Sequence, residues 1–463
     1  MDMSSIRTNH STRQRVLAVC IAAACAVAVP DAVASTRTDG TTATPSPDVP
    51  NVTVSNCNDS GAGSLRDAVS NPPDGTLVDM TQLTCSTISL RTGAILIGAS
   101  DIAIIGPGRD ELTIDAGPSE GYAAIYDLGG GTLHLANMTI EGGSKYRSDV
   151  AARGGCVHVE ANIQIENSTI RNCYAGSPDG ALGGGVFAGG FAYLSHSTLY
   201  NNHASSTLYA SGGGVYSLGG LQMMYSTVDA NFVVALADTP SFGGGAFARG
   251  GAFIMGTTIS GNLSVDGRMG GLALADNNAT PSIIVNSTIS GNFADRIGGV
   301  FVREPVTIAN STIAFNSSSV WSDGVGSYLA AGLYIQTGGE LDSTIIANNV
   351  NDDAAAPQPT ADLTGAVNSG FNGGNNNVMF AGRPCPTDTS HEDPGLHPLA
   401  DNGGFTKTHI PTPGIWDTFG GTNTLSMPWD QRGPGFPRQT SGDFPEIGAI
   451  QLSSDLIFAN GFN

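Results

Sequence analysis

Positive charge is what this chain has least of. Its 463 residues include two lysines, Lys145 and Lys407, and 19 basic residues stand against 40 acidic ones, for a formal net charge of −21. A chain of that sign repels nucleic-acid phosphates and anionic headgroups, so nucleic acid is excluded as an expected partner. Charged residues of either sign make up only 13% of the chain, while hydrophobic residues make up 40%, which argues against a disordered acidic tail. After residue 29 no apolar run reaches the 18 residues that a membrane-spanning helix needs. Room for long helices is also missing, because 63 glycines interrupt the chain.

What is present is a repeat. A glycine pair followed by alternating residues returns as Gly155-Cys156-Val157-His158, Gly185-Val186-Phe187-Ala188, Gly214-Val215-Tyr216-Ser217 and Gly245-Ala246-Phe247-Ala248, then from Gly271, Gly299 and Gly332. Between these phrases lies a Ser-Thr-Ile type triplet, beginning at 168, 197, 226, 257, 287, 311 and 343, at spacings of 29, 29, 31, 30, 24 and 32. A near-constant period of this length marks a solenoid. The runs between glycines are short, β-branched or aromatic, and alternate with period two, which is a strand pattern. Three residues after each triplet's apolar residue an asparagine recurs: Asn202, Asn231, Asn262, Asn292, Asn316 and Asn348. Asparagine tolerates the left-handed conformation of a tight corner, and stacked amides can bond to one another in a ladder. These features predict an all-β chain folded as a right-handed parallel β-helix, with repeats over 87–350.

The ends read differently. Arg7, Arg13 and Arg15 precede an apolar run from Val16 to Val29, and Ala32-Val33-Ala34 has the form of a cleavage site, so residues 1–34 read as an export signal. Cys25 offers lipidation as an alternative, although Ala22 stands where such signals place leucine. Residues 35–50, rich in Thr, Pro and Ala, read as a flexible leader. In 51–86, Ser64-Leu65-Arg66-Asp67-Ala68 resembles the N-terminal cap motif of bacterial surface β-helix proteins. That resemblance implies a short helix, capped by Ser64, closing the solenoid. Beyond the repeats, Asn375-Asn376-Asn377-Val378, Asp393-Pro394-Gly395, Asp401-Asn402-Gly403-Gly404, Asp430-Gln431-Arg432-Gly433 and Glu446-Ile447-Gly448-Ala449 follow in order. Over 362–451 they resemble the choice-of-anchor Q domain that follows β-helix repeats in bacterial cell-surface proteins. The departure is Pro413-Gly414-Ile415-Trp416-Asp417, where the family has Gly-Ser-Pro-Ala-Ile-Asp. The segment 351–451 is thus expected to form C-terminal coils and a cap, and 452–463 resembles a short tail of exported proteobacterial proteins. An extracellular or cell-surface location, associated with the bacterial outer membrane, follows from this resemblance, with the periplasm as the other compartment open to it.

Candidate residues fall into four groups. Export makes disulfides reasonable, and Cys85 is the natural partner of Cys57. Cys156 and Cys173 belong to one coil and are expected to pair. Cys156 takes an inward position, Cys173 the ladder position, and His158 the same strand face as Cys156. Zinc is not expected there, since no fourth ligand is suitably spaced. Phe187, Tyr216, Phe247, Phe301 and Tyr334 form an aromatic stripe that either holds sugar rings or stiffens the sheet beneath covering loops. Asp417, Asp430 and Arg432 read as a polar lock that closes the last coils.

No catalytic residue is assigned. Asp229, Glu166, Asp295 and Glu304 fall at unrelated offsets, and the bases Lys145, Arg147, Arg153, Arg249, Arg268, Arg296 and Arg303 have no acidic cluster beside them. Two functions from different classes follow: an adhesin-like scaffold binding a cell-surface or extracellular glycan or other ligand, and a pectate-lyase-like lyase or hydrolase. A structural envelope role is a third. No metal or cofactor is expected, except Ca2+ if the lyase reading holds.

Overall fold

The computed structural model describes residues 49–117, 121–235, 241–275, 280–319, 330–351, 362–366, 370–381, 385–386, 388–412, 420–438 and 445–452. Residues 1–48, where an export signal and a leader are expected, Asp417 and residues 453–463 lie outside them.

Three parallel sheets of 12, 11 and 10 strands wind around one core as a parallel β-solenoid. Sheet 1 runs from Asn51–Thr53 to Phe371–Gly374, sheet 2 from Thr87–Ser89 to Asn377–Val378, and sheet 3 from Ile95–Ile97 to Leu363–Gly365. Each coil visits sheet 3, sheet 1 and sheet 2 in turn, as in Val157–Val159, Asn162–Glu166 and Thr169–Arg171. The period-two pattern sets what points inward: Ile163 and Ile165 are fully buried while Gln164 between them is half-buried. Register repeats the same residue type from coil to coil, as in Ile140, Ile170, Leu199, Val228, Ile259, Ile289 and Ile313. Each such burial contributes about 1.5–3 kcal/mol, added along one dimension.

The coils also carry an arch. After sheet 2 the chain leaves the core as an outgoing strand and returns as a second one, for example Tyr174–Ser177 and Ala181–Leu182, before sheet 3 resumes at Val186–Ala188. Outgoing strands stack into an eight-stranded sheet from Ser144–Tyr146 to Val350–Asn351. Returning strands stack as Ala152–Arg153, Ala181–Leu182 and Ala210–Ser211, continued by single bridges at Phe242, Met269 and Ile297. The arch has its own small core of Ala181, Ala204, Ala210 and Val233. It first appears after Glu141. Thr87 and Thr113 stand in register with Thr139, but among the described residues no arch strand follows them.

The base of the arch is a narrow neck. There the ladder asparagine faces a glycine from the returning chain, and a Cβ on Gly245 would lie 2.9 Å from Asn262 Cγ and 2.7 Å from Gly271 O. Glycine is required for that approach. Asn202 Nδ2 donates to Asn231 Oδ1 (2.9 Å), Asn231 to Asn262 (3.0 Å), Asn262 to Asn292 (2.9 Å), Asn292 to Asn316 (2.8 Å) and Asn316 to Asn349 (2.9 Å). The ladder residue of the last coil is therefore Asn349, and the expectation for Asn348 is corrected. Thr344-Ile345-Ile346, not Ser343-Thr344-Ile345, is the sheet register partner of Ser311-Thr312-Ile313. Asn348 instead occupies the left-handed corner (φ 60°) just before the ladder, as Asn201 does in its coil (φ 52°). The run ends on Asp362, whose carboxylate accepts from Asn349 N, Asn349 Nδ2 and Phe380 N.

In one coil the neck is covalent. Cys156 pairs with Cys173 across it, with Cα atoms 5.3 Å apart. Cys173 does stand at the ladder position, its N–H bonding to Asn202 Oδ1. Cys156, however, stands at the position of Gly185, because Val157 registers with Val186. The inward position is thus Val157, and His158 beside it points outward, in register with Tyr126 and Phe187. Cys57 pairs with Cys85 near the N-terminal helix Leu65–Ala68, where Ser64 Oγ accepts from Asp67 N. Cys385 belongs to neither bridge, and burial pushes its thiol up to about 11.

The described parts of the C-terminal segment lie along the outside of sheet 2 and its corner with sheet 1 as a strap. Leu425 and Met427 pack on Met255, Val285 and Ala309. Thr258 Oγ1 donates to Lys407 O (2.6 Å), Thr288 Oγ1 to Gln431 Oε1 (2.6 Å), and Ala449 N to Thr312 Oγ1 (3.1 Å). The threonines of the repeated triplet thus face outward and carry the strap.

Candidate functional site

Because the arch begins abruptly, its N-terminal edge is a ledge, and beneath the ledge lies a cavity of about 650 Å3. Its floor is the open end of the outer row on sheet 3. That row runs in register through Leu96, Tyr126, His158, Phe187, Tyr216, Phe247, Ala273, Phe301 and Tyr334. Where the arch covers it, the row is buried: Phe187 is 0% exposed, Tyr216 4%, Phe247 5% and Phe301 7%. Phe187, Tyr216 and Phe247 stack at centroid distances of 5.7 and 4.8 Å beneath Leu182, Phe242 and Met269. Tyr334 is half-buried and stacks on Phe301 at 5.9 Å. Of the two readings, the covered one describes Phe187, Tyr216, Phe247 and Phe301, so the open sugar platform is corrected for those four, while Tyr334 is only partly covered. The row emerges at its N-terminal end, where Leu96 is 59% exposed and Tyr126 half-buried.

Cations surround that opening. Lys145 and Arg147 come from the first outgoing strand and the turn after it, Arg153 from the first returning strand, and Arg66 from the cap helix. Arg66 is committed to structure, donating to Asp59 Oδ1 and to the carbonyls of Gly93 and Ala94 at 2.6–2.7 Å. Among the described residues, no carboxylate lies within ion-pair distance of Lys145, Arg147 or Arg153. Three basic groups thus converge on one cavity in a chain that carries few.

Lys145 belongs to a chain of contacts. His158 is buried, and burial together with the Lys145 charge pushes its pKa down, to about 4, so it is neutral at pH 7. Its Nε2 lies 2.8 Å from Glu160 Oε1 and its Nδ1 3.0 Å from Arg153 O, both of which only accept. The single ring proton goes to the charged acceptor, on Nε2, leaving Nδ1 against the carbonyl with no proton between them. Nδ1 is then an acceptor for Lys145 Nζ at 2.8 Å. The ammonium also sits 4.4 Å from the Tyr126 ring centroid. Burial, then the charges of Arg147 and Arg153, push Lys145 down to about 8, with Glu160 opposing. The site can thus bind an anion, and above pH 8 it presents a neutral amine.

Other expected residues lie apart. Asp430 and Arg432 do join, Arg432 Nη2 donating to Asp430 Oδ2 at 2.6 Å, with Gln451 O and N completing the pair. They lie in the strap on the flank of sheet 2 rather than at the last coil, and Asp417 lies outside the described residues. Glu166, Asp229, Asp295 and Glu304 do not converge. Glu166 faces His134, Asp229 accepts from Ser260, Asp295 from Ser319, and Glu304 is buried against Ser282. Among the described residues no three His, Cys, Asp or Glu side chains form a metal-sized group, and no helix is long and apolar enough to cross a membrane. Tyr126, Leu96 and Glu160 were not legible as site residues. The one available signal was that Lys145, Arg147 and Arg153 crowd into the only stretch after residue 15 with three basic residues in nine.

No family model, curated protein or solved structure matches the chain.

Proposed function

We propose that this protein is an exported β-solenoid scaffold that binds an acidic glycan under the ledge of its arch. One observation carries the reading: three cations without carboxylate partners meet the exposed end of an apolar row, Leu96 and Tyr126, in a cavity the size of a sugar residue or two. An apolar ring face beneath a sugar and cations beside its carboxylate are complementary to a uronate. Two disulfides fit an oxidising compartment, and the resemblance of both chain ends to surface β-helix proteins agrees with export. The solenoid serves as a rigid spacer and the strap braces its flank.

A second reading is favoured by Lys145 alone. A lysine held near 8 beside two arginines has the character of a base, which suits elimination on a uronate. Both readings are tested on residues 35–463 with oligogalacturonate, with and without calcium. Retention without new absorbance of unsaturated uronates supports the binding reading, and turnover lost in Lys145→Met supports the second. Neither retention nor turnover refutes both and leaves a structural envelope role.

A further inference from the structure

We propose that Lys145 is a covalent capture site, forming an imine with the carbonyl carbon of an anionic aldehyde or 2-oxo acid held by Arg147 and Arg153. The inference rests on the anion-binding reading above and adds a bond to it.

Imine formation needs an unprotonated amine, access, and a means of concentrating the carbonyl partner. Lys145 lines the cavity. Its direct partner is a neutral ring nitrogen, His158 Nδ1 at 2.8 Å, instead of a carboxylate. A carboxylate at that distance would hold the proton on the lysine, whereas a neutral acceptor fixes the nitrogen in place without doing so. Arg147 and Arg153 act in the same direction, because each adds a positive charge that the amine relieves by losing its proton. Glu160 alone opposes them, and it reaches Lys145 only across the imidazole. The same arginines would draw in a negatively charged carbonyl compound. The step balances without a further reagent. The ammonium first releases a proton to solvent. The amine lone pair forms the C–N bond as the C=O π bond breaks, and an N–H proton passes to the new alkoxide. The returned proton lets the carbinolamine oxygen leave as water, so that ammonium and carbonyl give iminium and water with charge conserved. Hydrolysis reverses it. A free uronic acid qualifies as a partner, since its open chain carries both an aldehyde and a carboxylate, and so does a small 2-oxo acid.

The chain offers a built-in control, because Lys407 is its only other lysine and is exposed on the strap. The mature protein is treated at pH 7.5 with glyoxylate and cyanoborohydride, which reduces the imine to a stable secondary amine, and the adduct is located by peptide mass spectrometry. Lys145 is expected to label at least about tenfold faster than Lys407. Arg147→Ala with Arg153→Ala should slow it several-fold, and by a clearly larger factor than labelling by neutral propanal, which loses only the arginines' help in deprotonating the amine. Glu160→Gln should accelerate labelling, since it removes the charge that favours the ammonium, and this outcome does not depend on a variant losing function. Galacturonate in place of glyoxylate distinguishes the sources: adducts with both assign a sugar reducing end, and adducts with glyoxylate alone assign a small oxo acid. Equal labelling of Lys145 and Lys407 would overturn the inference, as would slowing by Glu160→Gln. Oligogalacturonate retained without any adduct overturns the imine alone. Loss of both overturns the anion-binding reading as well.

Discussion

Asn262 sits in the middle of the neck, 1% exposed, and uses its whole amide. Nδ2 donates to Val228 O and Asn292 Oδ1, and Oδ1 accepts from Asn231 N and Asn231 Nδ2, all between 2.9 and 3.0 Å. In Asn262→Ala the Asn231 amide and the Val228 carbonyl are left buried without those partners. Asn231 Nδ2 still reaches Leu199 O and Asp229 O, so its loss is partial. At about 1–3 kcal/mol per orphaned group, the coil should lose about 2–5 kcal/mol. A long solenoid need not unfold in one step, so a global midpoint is a poor readout. Hydrogen exchange of Asn231 and its neighbours reports the local opening. Each 1.4 kcal/mol is tenfold, so exchange there should accelerate by at least about thirty-fold. Asn201→Gly is the control, because Asn201 is an exposed left-handed corner residue (φ 52°) that glycine can replace, and it should change exchange by less than about 0.5 kcal/mol. If Asn262→Ala exchanges within twofold of the natural chain, the ladder does not hold the neck and the reasoning fails.

Four further outcomes follow. Cys156→Gly with Cys173→Asn rebuilds the neck as the neighbouring coils make it, so it should exceed Cys156→Ala with Cys173→Ala in local stability by about 1 kcal/mol, measured by exchange at Tyr174; equality of the two would refute the equivalence. Phe247→Ala should cost about 3 kcal/mol as a buried aromatic deletion yet leave oligogalacturonate retention unchanged, whereas Tyr126→Ala should reduce retention with little loss of thermal stability. Retention should also fall as pH rises through about 8, where Lys145 loses its charge, and a flat profile from pH 6 to 9.5 would remove Lys145 from binding. Burial raises both Asp362 and Glu446 to about 7 in the folded chain, above their ordinary values of 3.8 and 4.5. The folded state therefore binds more protons than the unfolded state between about pH 4 and 7. The stability these two groups contribute is complete below their ordinary values and is lost as pH rises through about 7, so exchange protection at 445–452 should weaken from pH 5.5 to 8.

The repeat made the architecture legible, because period-two alternation between glycines leaves strands as the only regular choice. Conserving the period through seven copies then forces the strands to stack in parallel. The triplets, the ladder asparagines 202 to 316 and both cysteine pairs are local statements of that kind. Asn348 and Cys156 were misplaced by one residue. A shift of one flips a side chain between faces in a strand, and only the register of Ile345 with Thr312 and of Val157 with Val186 could settle it. That Phe187, Tyr216 and Phe247 lie covered was one of two readings open in the sequence; what decides it is the chain that returns from the arch and folds back at Gly183, Gly212 and Gly243. The strap's place on sheet 2 rests on contacts such as Thr258 with Gln431, 173 residues apart, which no pattern announces.

What the sequence determined by itself is the coil, for its hydrophobic alternation and its glycines act within 30 residues of one another. What only the tertiary structure decided is the site. Leu96, Arg66, Lys145, Arg153 and His158 come from the cap, an arch-free coil and the first arch. They meet because the arch starts at one coil and not the one before it, leaving the row of Tyr126 uncovered at that step.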